Sequence, residues 1–127
     1  MKFRSYLDKH LILRKEAMVD LNNGAYNKAV SALWFSLEAL FRALLIREGR
    51  TPPDRPGKLI SYTIKSFFSH IDNLERFARI VNTLYTMRTQ VDHRDKIATK
   101  VYAEKALNLY REALEIITKV YRITQQS

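Results

Sequence analysis

Arg88 and His93 are the two residues of this sequence whose types and spacing best suit a reaction at a phosphate group. Arginine carries a permanent, forked positive charge that fits phosphate oxygens, and histidine gives or takes a proton near neutral pH. In metal-free RNA cleavage the 2′-hydroxyl attacks the adjacent phosphorus, a histidine acts as general acid or base, and an arginine stabilises the developing charge. The R-x4-H arrangement therefore indicates this chemistry.

The same spacing has a purely structural interpretation. Five positions along a helix turn by about 140°, so Arg88 and His93 do not share a helix face. Arg88 lies closer to Asp92, one turn further along, and a simple Arg88–Asp92 salt bridge is the alternative. A short motif of this kind also arises by chance, so the spacing alone leaves both interpretations open.

Several other chemistries lack their residues. The chain has no Cys, which excludes disulfides, thiolate metal sites and cysteine nucleophiles. It has no glycine-rich phosphate loop, no H-E-x-x-H and no G-x-S-x-G, and the histidines at positions 10, 70 and 93 do not have metal-ligand spacing. We therefore expect no metal and no cofactor.

The net charge of +9 favours an anionic partner, with nucleic acid the commonest. The charge is spread along the chain, and a highly charged surface without a partner is the alternative. Local excesses of basic residues occur at residues 47–58 and 88–100. We interpret these as a guide for RNA.

The compartment is predicted from the apolar segments. The first 13 residues mix charged and apolar side chains and so lack the apolar region of a signal peptide. The longest apolar run, residues 39–46, is broken by Arg42 and is much shorter than a membrane span of about 20 residues. We expect a cytoplasmic protein that does not cross a membrane.

The apolar spacing predicts helices throughout the chain. With 127 residues and only 3 Gly and 3 Pro, the sequence suits one helical domain over residues 1–127. The predicted helices cover about residues 3–22, 25–48 and 58–68, then a fourth from an N-cap at Asp72 or Asn73 to the charged run at 92–96, and a fifth over 99–123. A turn-rich connection occupies 48–57. The fold class is all-α, an antiparallel bundle of four to five helices.

The second predicted helix is apolar on more than one side, which predicts a central position in the bundle or in an oligomer interface. Glu38 interrupts this apolar surface. It is spaced to pair with Arg42, and a solvent-facing edge would also explain it.

Two parts of the sequence together resemble the HEPN (higher eukaryotes and prokaryotes nucleotide-binding) superfamily, specifically its small stand-alone prokaryotic members. The resemblance covers about residues 5–120. The second helix carries Asn23-Gly24-Ala25-Tyr26, Ala29-Val30-Ser31, Trp34-Phe35 and Ala43-Leu44-Leu45. The fourth carries Leu84, Arg88, Asp92 and His93, similar to the family's L-x-x-x-R-x-x-A-D-Y or, in its ribonuclease branches, R-x4-H.

The resemblance implies a HEPN-type bundle that forms a homodimer, with Arg and His of both subunits lining one cleft. Active members of the family are metal-independent endoribonucleases, often toxins of toxin–antitoxin pairs. The implied catalytic residues are Arg88 and His93. The residues assigned to substrate binding are Thr89, Asp92, Glu38 and Arg94.

A second function follows from the same resemblance. Other members are non-catalytic, nucleotide-binding or helical partners of a minimal nucleotidyltransferase. Thr89, where active members often carry a strongly polar residue, favours this alternative. So does His93, where the most similar branch has Tyr. An antitoxin or a nucleotidyltransferase is therefore the expected protein partner, and RNA the expected substrate.

Overall fold

The computed structural model describes residues 2–121, which form five α-helices and, within that range, no strand. The helices are α1 (Lys2–Asn22), α2 (Tyr26–Arg47), α3 (Pro56–Thr63), α4 (Leu74–His93) and α5 (Lys100–Tyr121). A π-helical turn, Ile64–Phe68, directly continues α3. The predicted all-α bundle is confirmed.

Glycines end the first two helices, as the sequence predicts for α1. Gly24 has φ +76°, and the next amide, of Ala25, donates to the carbonyl of Asp20 at 2.8 Å. Gly49 has φ +75°, and Arg50 donates in the same way to Leu45. Glycine adopts this left-handed conformation without the steric cost that a Cβ atom adds, so these two glycines cap the C-terminal ends of α1 and α2.

Some helix boundaries differ from the prediction. The third helix starts at Pro56 instead of residue 58, because the first position of a helix needs no amide donor and suits the fixed φ of proline. The fourth begins after Asn73, but this side chain makes no capping hydrogen bond, and the helix continues to His93. For the fifth, residues 122–123 lie outside the described residues.

The second helix, α2, lies at the centre of the bundle. It contacts α1, α3, α4 and α5, and thirteen of its 22 residues are buried. Among the described helices, it alone is long and apolar enough to cross a membrane, but 72% of its apolar stretch is buried in the bundle. The apolar surface on more than one side therefore serves the core, where α2 packs against its neighbours.

A buried polar network joins three helices within this core. Ser36 of α2 has no exposed surface, and its hydroxyl donates to the carbonyl of His10 on α1 at 2.7 Å. The Tyr110 hydroxyl on α5 lies 2.7 Å from Ser36 Oγ, and His10 Nδ1 lies 2.9 Å from the Ser36 carbonyl oxygen. One set of protons satisfies these three contacts: His10 donates from Nδ1 to that carbonyl, and Tyr110 donates to Ser36. Ser36 Oγ also lies 2.9 Å from His10 Nδ1, so it can share the same proton as a second acceptor.

This network predicts that the protein loses stability in mild acid. Burial lowers the pKa of His10 from its usual 6.5, the Ser36 carbonyl opposes this, and Arg14 adds to it. The unfolded chain therefore takes up a proton first as pH falls through about 6.5, so this contribution to the unfolding free energy is complete above that pH and declines below it.

Urea unfolding of the wild-type protein between about pH 7.5 and about pH 5.5 measures this decline. His10→Asn removes the titrating ring, so the unfolding free energy of this variant should fall much less between the two pH values. His70→Asn, which changes an exposed histidine, is the matched control and should show the same fall as the wild type. An equal decline in wild type and His10→Asn would show that His10 is not its source.

Candidate functional site

The candidate site is centred on contacts between α2, which contributes Ser31 and Phe35, and α4, which contributes Arg88 and Asp92. Arg88 Nε lies 2.9 Å from Asp92 Oδ2, and Ser31 donates a hydrogen bond to Asp92 Oδ1. The guanidinium carbon of Arg88 lies 4.8 Å from the centroid of the Phe35 ring, at cation–π distance. We call Ser31, Phe35, Arg88 and Asp92 the Arg88 cluster.

Helical spacing explains why these four side chains meet. Ser31 and Phe35 are one turn apart on α2, and Arg88 and Asp92 are one turn apart on α4, so each pair lies on one face of its helix. The salt bridge that the sequence offered as an alternative to phosphate binding is therefore present. The two halves of the sequence pattern, separated by more than fifty residues, form a single structural unit.

The Arg88 cluster fixes the arginine in a half-buried position. The side chains of Arg88 and Asp92 are 16% and 27% exposed. Although Arg88 Nε is close to the Asp92 carboxylate, its N–H is buried and has no hydrogen-bond partner among the described residues. The guanidinium is thus held by stacking and charge, with part of its donor capacity unused.

Glu38 lies on the same half-buried face of α2, two turns beyond Ser31. As the sequence predicted, it pairs with Arg42, at 3.8 Å, and both side chains are about one-sixth exposed. Arg42 also donates to the carbonyl oxygens of Pro53 at 2.9 Å and Asp54 at 3.2 Å. Arg42 thus attaches the connection between α2 and α3 to the bundle, and Glu38 stabilises that cation.

His93 lies apart from the Arg88 cluster. It is the last residue of α4 and is exposed. Because α4 is helical through both positions, His93 is about 140° around the helix and about 7.5 Å along it from Arg88. Within residues 2–121, no three His, Asp or Glu side chains are grouped so that they could hold a metal ion.

Thr89 and Arg94 line a shallow cavity of about 630 Å³ beside the end of α4. We call it the α4 pocket; its lining is Tyr85, Thr86, Thr89, Gln90 and residues 94–96. Thr89 Oγ1 donates to the Tyr85 carbonyl at 3.0 Å, so this hydroxyl is partly occupied by its own helix. The other four sequence-predicted site residues, at positions 38, 88, 92 and 93, do not line this pocket.

One wall of the α4 pocket is held by Tyr102 of α5. The Tyr102 hydroxyl donates to Gln90 Oε1 at 2.8 Å, and Lys96 Nζ lies 4.6 Å from the centroid of the Tyr102 ring. Burial raises the pKa of Tyr102, which further favours the protonated hydroxyl that donates this bond. The pocket therefore presents Arg94 and Lys96 on a supported wall, with Asp95 as the opposing charge.

A second cavity, of about 720 Å³, lies between α3 and α4 and was not predicted. We call it the α3 pocket; its lining is residues 55–58, Ser61, Tyr62, Lys65 and Tyr85. The basic excess at residues 47–58 was the one available signal. It could not reveal a cavity, because the cavity needs Tyr85 from a helix almost thirty residues later.

Comparison with known proteins gives one match. A family model described as HEPN domain matches residues 6–121 of the 127-residue chain. No curated protein and no solved structure matches the chain. The matched segment contains the whole Arg88 cluster, both pockets and His93.

Proposed function

The chain belongs to the HEPN domain family, and from this premise we propose that it is a homodimeric, metal-independent endoribonuclease that acts through Arg88 and His93. The observation that carries the proposal is the Arg88 cluster, in which the Phe35 ring and the Asp92 carboxylate hold a half-buried guanidinium in place. A pre-positioned arginine of this kind can stabilise charge on a phosphoryl group without reorganising.

The positions of Arg88 and His93 on α4 support a site shared between two subunits. Within one chain they lie on different sides of the helix, and neither lines the α3 or the α4 pocket. A second copy that presents its His93 to the Arg88 of the first would complete the pair of groups. Thr89 and Arg94, in the α4 pocket, would bind the RNA beside that centre.

In the proposed reaction the 2′-hydroxyl of the RNA attacks the adjacent phosphorus and the 5′-oxygen of the next nucleotide leaves. His93 either takes the proton of the 2′-hydroxyl as general base or gives a proton to the departing 5′-oxygen as general acid. Arg88 stabilises the charge that develops on the phosphoryl oxygens. The bond that breaks is the P–O5′ bond, and the product carries a 2′,3′-cyclic phosphate. Asp92 and Glu38 contact no substrate group in this scheme; they position Arg88 and Arg42.

Purified protein incubated with labelled structured and unstructured RNAs in EDTA tests this function. We expect cleavage with 2′,3′-cyclic phosphate ends, and loss of cleavage in His93→Ala, because the histidine is the proton-transfer group. His70→Ala, an exposed histidine outside both pockets, should cleave as wild type does. Equal cleavage by wild type and His93→Ala would indicate a contaminating nuclease and contradict the proposal.

A non-catalytic, nucleotide-binding partner of a nucleotidyltransferase is the second candidate function. The Arg88–Asp92 ion pair favours it, because a carboxylate already neutralises the guanidinium that catalysis would need. Binding of RNA or nucleotide with no cleavage of any RNA would support this second function over the first. An antitoxin partner fits only the first function, because the toxin of such a pair would act by cleaving RNA.

A further inference from the structure

The α3 pocket and the α4 pocket share one residue, Tyr85. Each pocket has a volume within the range of about 300–1,000 Å³ that is usual for small-ligand sites. Each uses Tyr85 in its wall, so the two pockets adjoin at this side chain. The proposed function uses only the α4 pocket.

Positive charge dominates the lining of both pockets. The α3 pocket presents Arg55, Lys58 and Lys65, and none of its described lining residues is acidic. The α4 pocket presents Arg94 and Lys96 against Asp95. Five cations and one carboxylate along one surface favour an extended polyanion over an apolar ligand.

Aromatic rings stand between these charges. Tyr85 is half-buried and packs against the fully buried Trp34, with ring centroids 5.1 Å apart. Tyr62, in the α3 pocket, has the guanidinium of Arg50 at 5.8 Å from its ring centroid. The packing against Trp34 leaves Tyr85 as a supported ring in the wall of both pockets, and a supported ring is suited to stacking with an unpaired base.

We propose that the α3 pocket and the α4 pocket form one groove that binds single-stranded RNA, with phosphates on Arg55, Lys58 and Lys65 and a base stacked on Tyr85. A surface that carries both cations and aromatic rings suits an unpaired strand, because the phosphates and the base faces of such a strand are both accessible. The choice of RNA rests on the proposed function. The groove itself is a site outside the Arg88–His93 centre.

Binding of a fluorescently labelled 2′-O-methyl oligouridylate tests the charge of the groove. This probe lacks the attacking hydroxyl, so it reports binding without cleavage. Each phosphate contact of a single strand contributes about 0.7 to the salt slope, so Lys58→Gln/Lys65→Gln should weaken binding roughly 25-fold at about 0.1 M salt and make the slope about 1.4 shallower. Both lysines are exposed, so the fold should be kept.

Lys9→Gln/Lys15→Gln is the matched control, because it removes the same charge from exposed positions of α1 that line neither pocket. If the groove binds the RNA, the affinity of this variant for the probe should lie within about twofold of the wild-type affinity. Equal losses in the two double variants would show that net charge alone attracts the RNA and would overturn the proposal.

Tyr85 provides the independent test of base stacking. Tyr85→Leu keeps an apolar contact to Trp34 but removes the ring, and we expect binding about tenfold weaker, whereas Tyr85→Phe should bind as wild type. The same probe annealed to its complement should bind more weakly, since its bases are paired. Wild-type affinity in Tyr85→Leu, or equal affinity for the duplex, would overturn the proposal.

Failure of the groove and failure of the proposed function give different results. Cleavage by the wild type together with unchanged probe binding in the groove variants would refute the groove and leave the nuclease. Probe binding that depends on Lys58, Lys65 and Tyr85, without cleavage of any RNA, would refute the nuclease and leave the groove.

Discussion

Arg88→Ala is expected to lower kcat for RNA cleavage by about 10³-fold, the usual effect of removing a pre-positioned group that stabilises transition-state charge. The Arg88 guanidinium is fixed over Phe35 and against Asp92, so the substitution removes a cation that is already in position before the RNA binds. KM should change much less, because the RNA would keep its other phosphate contacts. Initial rates measured with a labelled RNA in EDTA give both constants.

Two further variants make this prediction sharper. Arg88→Lys retains the charge but loses the planar fork and the stacking on Phe35, so we expect activity between wild type and Arg88→Ala. Arg111→Ala removes an exposed arginine of α5 that lines neither pocket and should cleave normally. Thermal melting shows whether each variant is folded. A folded Arg88→Ala protein with wild-type kcat would exclude Arg88 from the chemistry.

Ser36→Ala is expected to lower the free energy of unfolding by about 3 kcal/mol, a large share of the stability of a small domain. The Ser36 hydroxyl is fully buried, donates to the His10 carbonyl and accepts from Tyr110. Its removal loses both of these hydrogen bonds and takes away the partner of the buried Tyr110 hydroxyl. Burial already raises the pKa of Tyr110 to about 12, so this group cannot escape by ionising at ordinary pH.

Tyr110→Phe is the matched variant. It removes the tyrosine hydroxyl but leaves Ser36 donating to His10, so it should cost only about 1 kcal/mol. In the Ser36→Ala background the same change removes the orphaned hydroxyl, so the double variant should be no less stable than Ser36→Ala alone. Urea denaturation of the four proteins completes the cycle. Strictly additive losses would show that the two hydroxyls do not interact in the way described.

The helices were predictable because their signals are local. Apolar residues at helical spacing and Gly24 at the end of α1 indicate structure within a few residues of themselves, and the boundaries of α1 and α2 agree with the prediction to within one residue. The sequence predicts Pro56 in the connection between α2 and α3, because proline usually breaks helices. The first position of a helix is the exception, and the sequence alone did not show that Pro56 occupies it.

The site was only partly predictable, because its contacts join distant segments. The Arg88–Asp92 and Glu38–Arg42 pairs follow from spacing within one helix. The contacts of Ser31 and Phe35 with α4 depend on how two helices cross, and a helical pattern does not specify this. The sequence pattern contained both residues, but it could not show that they hold the arginine.

His10 shows the same limit in the core. Its position among the apolar residues of α1 gave no sign that it would be 2% exposed and bonded to Ser36. A buried histidine needs a partner, and His10 finds it in Ser36 of α2, which in turn bonds to Tyr110 of α5. Only the packed bundle reveals that one serine satisfies both a histidine carbonyl and a tyrosine hydroxyl.

Subunit exchange tests the shared site most directly. Arg88→Ala and His93→Ala proteins are each expected to be inactive, because each lacks one group in every site. If Arg88 of one subunit acts with His93 of the other, refolding an equal mixture gives mixed dimers that contain one complete site each. About half of the dimers are mixed, so the mixture should regain about a quarter of the wild-type activity. A mixture that forms dimers by light scattering but stays inactive would contradict a site shared between subunits.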